Sequence, residues 1–179
     1  MADLGSYHRV ERQEDVAARG SRSAAPAPIT LAPIVLIKGP EGLLVDRALD
    51  RLRALAYEAD PNLERTDINA ATYQAGQIDV IASPSLFGEP RLILVPALEQ
   101  MNDALLTDLL AYTGAAEADV VVLLRHNGGR RGKRLLDAIA ASPYPVVTIA
   151  AVKSPRDKAA LVSADVRRAG RRMESDAVG

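Results

Sequence analysis

A strand, a glycine-bearing turn and a helix in succession form the setting in which phosphate chemistry is usually built. Residues 34–57 have that order: Ile34-Val35-Leu36-Ile37 leads into Gly39-Pro40-Glu41-Gly42, and a helical pattern follows. A phosphate loop needs G-x-x-x-x-G-K-[ST], with amides around the phosphates, a lysine on the terminal phosphates and a hydroxyl on magnesium. Counted from Gly39, the second glycine, the lysine and the hydroxyl positions hold Leu44, Val45 and Asp46. All are chemically wrong, and Asp46 would set a carboxylate against phosphate in a partly dry site. Lys38 precedes the turn and is out of register. The opening keeps the architecture of a nucleotide site without its chemistry, so no cofactor is expected.

The other reactive residues do not assemble a site either. Cysteine is absent, and the two histidines, His8 and His126, lie too far apart for a metal-ligand spacing. A metal-binding carboxylate belongs at the carboxyl end of a strand. Asp119 instead opens one, Asp67 lies within one, and the run Val120–Leu124 ends in Arg125-His126. His126 reads as a polar residue at a strand end. Ser83 and Ser85 flank Pro84 with no His/Asp partner to activate either hydroxyl. No catalytic residue and no metal site is expected. Arg130, Arg131, Lys133 and Arg134 form a basic cluster at a helix start, where it opposes the macrodipole. Contact with DNA or an acidic partner, or simply a solvated turn, would each account for it.

The elements that position these residues follow from pattern. The chain has 179 residues, a net charge of −1 and 48% apolar residues, enough for one domain with a real core plus extra segments. With no global basic excess, it does not have the composition of a nucleic-acid binder. No apolar run approaches the ~20 residues of a membrane span, and the charged start lacks a signal-peptide core, so the expectation is cytoplasmic. Residues 1–30 mix charges without an apolar face and end in Ala24-Ala25-Pro26-Ala27-Pro28, which predicts a disordered leader and linker.

Strands are expected at Ile34–Ile37, Arg65–Asn69 (near an edge, because Arg65 and Asp67 are polar), Arg91–Val95, Asp119–Leu124 and Val146–Ile149. Helices are expected at 43–57 with the stripe Leu44, Ala48, Leu52 and Leu55, at 75–82, from Leu98 to Tyr112, and at 133–141. Strand centres fall about 25–31 residues apart, one strand-plus-crossover unit, which predicts an α/β three-layer sandwich with a five-stranded, mostly parallel sheet over 31–151. Residues 152–179 read as a linker and a helix over 157–173, with seven Lys/Arg against four Asp/Glu from 151 onward.

One stretch remains, Ser83-Pro84-Ser85-Leu86-Phe87-Gly88-Glu89-Pro90-Arg91-Leu92-Ile93-Leu94-Val95-Pro96. Phe87 is the only phenylalanine, and there is no tryptophan. A large apolar ring in a Pro/Gly/Ser-bounded turn either folds back as a plug or projects as an anchor for a partner. S-L-F-G-E-P-R-L-I-L-V resembles the Leu-Phe segment in the first domain of the delta subunit of the bacterial DNA polymerase III clamp loader. The strand–G-x-E–helix opening, the Leu-rich helix after Pro96 and the basic turn before Leu135 fit the same pattern, and the resemblance covers roughly residues 33–175.

It implies a degenerate, AAA+-like domain that binds no ATP, with a hydrophobic wedge of Leu86 and Phe87, flanked by Ser85 and Gly88, that enters a pocket on the sliding clamp (the beta subunit). It further implies a non-catalytic subunit of the polymerase III holoenzyme that helps open the clamp for loading onto primed DNA. Other loader subunits would be met through a missing C-terminal region, DNA only indirectly, and no membrane or small-molecule substrate is involved. On that view 152–179 begins a truncated helical domain, while 1–30 matches nothing in the family. The alternative is an α/β enzyme handling nucleotides or phosphates through a site of unfamiliar form.

Overall fold

The computed structural model describes residues 30–83, 89–152 and 154. Of the leader expected over 1–30, all but Thr30 lies outside the described residues, as does the helix expected over 157–173. The elements run β1 (Ile34–Lys38), α1 (Gly42–Ala59), β2 (Glu64–Asp67), α2 (Gln77–Ala82), β3 (Arg91–Val95), α3 (Asp103–Gly114), β4 (Val120–His126), α4 (Lys133–Ala141) and β5 (Val146–Thr148). The strands form one sheet in the order β2-β3-β4-β1-β5, and every neighbouring pair is parallel. The expected α/β class is therefore found, with the polar β2 at an edge.

Side chains alternate across a strand, so a strand with helices on both faces is apolar throughout. Val35, Ile37, Leu92, Leu94 and Leu123 face α1, whereas Ile34, Leu36, Ile93, Val95, Val122 and Leu124 face α2, α3 and α4. The result is three layers with a core on each side of the sheet.

Three local expectations need correction. The buried face of α1 is Val45, Ala48, Leu49, Leu52 and Ala56, with Leu44 and Leu55 only half-buried at its margins. Both sets recur at helical spacing, and the way the helix docks on the sheet selects between them. The helix expected from Leu98 to Tyr112 is broken into a 3-10 turn, Leu98–Gln100, and α3. Asn102 causes the break: its Oδ1 accepts from Leu105 N at 2.9 Å, an N-cap that starts a new helix, while its Nδ2 donates to Tyr73 O at 2.8 Å. Finally, β4 continues through Arg125 and His126, which pair in register with Ile37 and Lys38 of β1.

Candidate functional site

At the carboxyl ends of β1 and β4, the turn after β1 is filled by the protein itself. Gly39 N donates to His126 O at 3.2 Å, and Pro40 has no amide hydrogen. In the first turn of α1, Leu44 N and Val45 N both donate to Glu41 O at 3.0 Å. Asp46 accepts from Arg125 Nε at 2.7 Å, so the carboxylate at the hydroxyl position of a phosphate loop is paired with a cation from β4. A β carbon on Gly39 would lie 2.8 Å from Ile149 Cβ and closer still to Ile149 O. Gly39 is thus required by the close approach of the chain after β5, not by a ligand. Among the described residues, no group of three His, Asp or Glu side chains is placed to hold a metal.

His126 is fully buried, and both ring nitrogens are used within the turn that follows it. Gly128 N donates to Nδ1 at 3.0 Å, which leaves the hydrogen on Nε2 to be donated to Arg131 O, also at 3.0 Å. Gly128, at φ 83°, packs on Gly39, where a β carbon would come within 3.1 Å of the Gly39 carbonyl carbon. A histidine read in the sequence as a polar strand-end residue is in fact the buried post of the basic turn. Arg130, Arg131, Lys133 and Arg134 are all exposed on that turn and the first turn of α4. Lys133 pairs with Asp137, and Arg131 Nη2 donates to Met101 O at 3.1 Å. The structure therefore brings the turn after β1 and the basic cluster together at the carboxyl edge of the sheet.

Leu86 and Phe87, with Ser85 and Gly88, lie outside the described residues, but the stems of their segment are described. The sheet is wholly parallel, and β3 begins at Arg91, so these stems lie at the amino edge of the sheet, opposite the turn after β1. The start of α2 is tied to α3 by Asp108, whose Oδ2 accepts from Tyr73 OH and from Gly76 N, both at 2.7 Å. Tyr73 OH in turn accepts from Ile78 N at 2.9 Å. Burial first, and then the Asp108 carboxylate, push the Tyr73 phenol up to about 12. Because the folded value is raised, the stabilisation linked to the protonated phenol is complete below the ordinary phenol value and is lost progressively as pH rises from there through about 12.

The end of α2 is held by Arg91. Its Nη1 donates to Ile81 O at 2.6 Å and Ser83 O at 2.7 Å, while its Nε lies 3.8 Å from Glu64 Oε2. One guanidinium thus caps the last carbonyls of α2 and fixes where the chain leaves for residues 84–88 and where it returns to β3. The sequence showed Arg91 only as the first residue of a strand, and Tyr73 and Asp108 carried no signal there. Arg91→Ala should lower the thermal midpoint by about 3–12 °C, from ~1.5–3 kcal/mol of charged hydrogen bonding at about 2–4 °C per kcal/mol. Arg91→Lys should recover only part of that, because a single ammonium nitrogen cannot take the place of Nη1 at the two carbonyls and of Nε beside Glu64 together. A midpoint unchanged in Arg91→Ala would show that this cap is not what holds the stems.

No protein-family model matches the chain, and no curated protein matches it in sequence. Among solved structures, the Bacillus subtilis DNA clamp loader delta protein matches over 83% of the chain with a TM-score of 0.53 at 15% identity. The fold is AAA+-like. It is also similar to that of the Thermotoga maritima RuvB Holliday junction branch migration motor, over 80% of the chain with a TM-score of 0.52 at 14% identity. The chain spans about half the length of each, 47% and 46% respectively. The first likeness fits the delta-subunit resemblance, and both fit the α/β parallel sheet expected from pattern. Among the described residues, no helix is long and apolar enough to cross a membrane.

Proposed function

We propose that this chain is the sheet domain of a clamp-loader delta subunit, which binds the ring-shaped sliding clamp through a wedge of Leu86 and Phe87 and helps open it for loading onto primed DNA. The observation that carries this reading is the held pair of stems on either side of residues 84–88. In a fold similar to that of a delta protein, the Leu-Phe pair falls between α2 and β3, on stems held by Arg91 and the Tyr73–Asp108 network. Val80 on α2 is 74% exposed and adds apolar surface to the helix that precedes the pair. Ser85 and Gly88 flank the pair in sequence. The subunit performs no catalysis of its own within the polymerase III holoenzyme and works together with the other loader subunits. Arg130, Arg131, Lys133 and Arg134 supply the charge suited to DNA or an acidic partner. The experiment that tests the reading is retention of the chain on its immobilised cognate sliding clamp, and a chain that passes through unretained would remove the assignment.

The same reading holds that the domain uses no nucleotide. Titrating a non-hydrolysable ATP analogue with magnesium into the chain should give no binding heat by calorimetry. The triple change Leu44→Gly, Val45→Lys and Asp46→Thr measures how much of a phosphate site the loop retains once the side chains are supplied. Heat of binding from the unaltered chain would favour the other reading, an α/β enzyme handling nucleotides or phosphates.

A further inference from the structure

Glu41 stands at the N-cap of α1, yet its side chain makes no capping bond. It turns instead to the far end of the described domain, where Oε1 accepts from Val152 N at 2.9 Å, across 111 residues of sequence. Three residues earlier, Ile149 N donates to Lys38 O at 2.8 Å, one step beyond the end of β5. Gly39 lies flush against Ile149, with no room for a side chain between them. The segment that leaves the sheet after β5 is therefore fastened to the turn after β1 at two backbone amides and one close contact.

The polarity of this turn is the reverse of a phosphate loop. A phosphate loop offers amide hydrogens to an anion brought from outside. Here the turn supplies the anion, and the amide comes from the chain's own exit segment. A carboxylate accepting from a backbone amide is a charge-assisted bond, stronger than its neutral counterpart. An incoming phosphate would meet Glu41 already engaged and Asp46 paired with Arg125.

We propose that Glu41 is a strap: it fixes the direction in which the chain leaves the sheet domain, using the protein's own carboxylate where a nucleotide-binding relative of this fold would have an exchangeable ligand. The joint is then set permanently and does not respond to nucleotide. This holds whether or not the chain binds a sliding clamp.

The test is amide hydrogen exchange read residue by residue on the full chain, with Ile149 as the internal control. Glu41→Asp keeps the charge and is a better N-cap, but its side chain is one methylene shorter, so it should speed exchange at Val152 by about tenfold while leaving Ile149 protected. Glu41→Ala should do the same. Glu41→Gln keeps an acceptor oxygen at full length and should stay within about threefold of the parent, since a neutral acceptor is weaker but still present. Parent-like exchange at Val152 in Glu41→Asp would overturn the strap, even if Glu41→Ala proved too unstable to study. Loss of protection in Glu41→Gln equal to that in Glu41→Asp would overturn it too, because an acceptor of full length would then fail to hold the Val152 amide. A magnesium–ATP analogue added to the parent chain should leave Val152 unchanged, and faster exchange there would show that the joint answers to nucleotide after all.

Discussion

A chain carrying Leu86→Ala together with Phe87→Ala should lose affinity for the sliding clamp by about a thousandfold and keep its thermal midpoint. Two apolar side chains entering a dry pocket contribute ~1.5–3 kcal/mol each from burial, and aromatic anchors commonly dominate an interface. A loss of ~4 kcal/mol corresponds to that thousandfold change. If Phe87 were a plug, the pattern would be the opposite: deleting a buried phenylalanine costs ~3–5 kcal/mol of stability, or about 6–20 °C of midpoint in a chain of this size. Midpoint and clamp affinity measured side by side separate the two. A variant that binds the clamp like the parent would end the function assignment, whatever its stability.

Gly39→Val should lower the thermal midpoint by about 6–12 °C in the absence of any ligand. The new side chain would be built against the Ile149 carbonyl and 2.8 Å from Ile149 Cβ, and backbone cannot yield as a flexible side chain can. Overpacking of that kind costs about 3 kcal/mol at its upper end, with about 2–4 °C of midpoint for each kcal/mol. In a working phosphate loop the same glycine would serve the approach of a ligand, and its replacement would spare the empty protein. The midpoint of the unliganded variant therefore reports which role Gly39 has here. A value within a degree or two of the parent would mean that the contact with the chain after β5 is not close in solution.

Much of the molecule was legible in the sequence wherever the signal is local. The continuous apolar runs of β1, β3 and β4 can belong only to strands covered on both faces, and the range of α4, Lys133–Ala141, follows from periodicity alone. The loss of phosphate-loop chemistry was equally plain, since a register counted from Gly39 needs no coordinates. The placement of β2 at an edge followed from its own polar residues, Arg65 and Asp67.

What only the tertiary structure decided are pairings between residues far apart in the chain. The order β2-β3-β4-β1-β5 brings the end of β4 beside the end of β1, and that adjacency creates the Asp46–Arg125 ion pair and buries His126. It also brings the exit from β5 onto Gly39 and Glu41. Arg91 gained its role because β3 starts beside the end of α2, and Asp108 because α3 lies against the start of α2. A periodic pattern records which neighbours three or four residues apart share a face. It carries no record of which strand the chain returns to after a crossover, and so a buried histidine, a reaching glutamate and a capping arginine look in the sequence like any other polar residue.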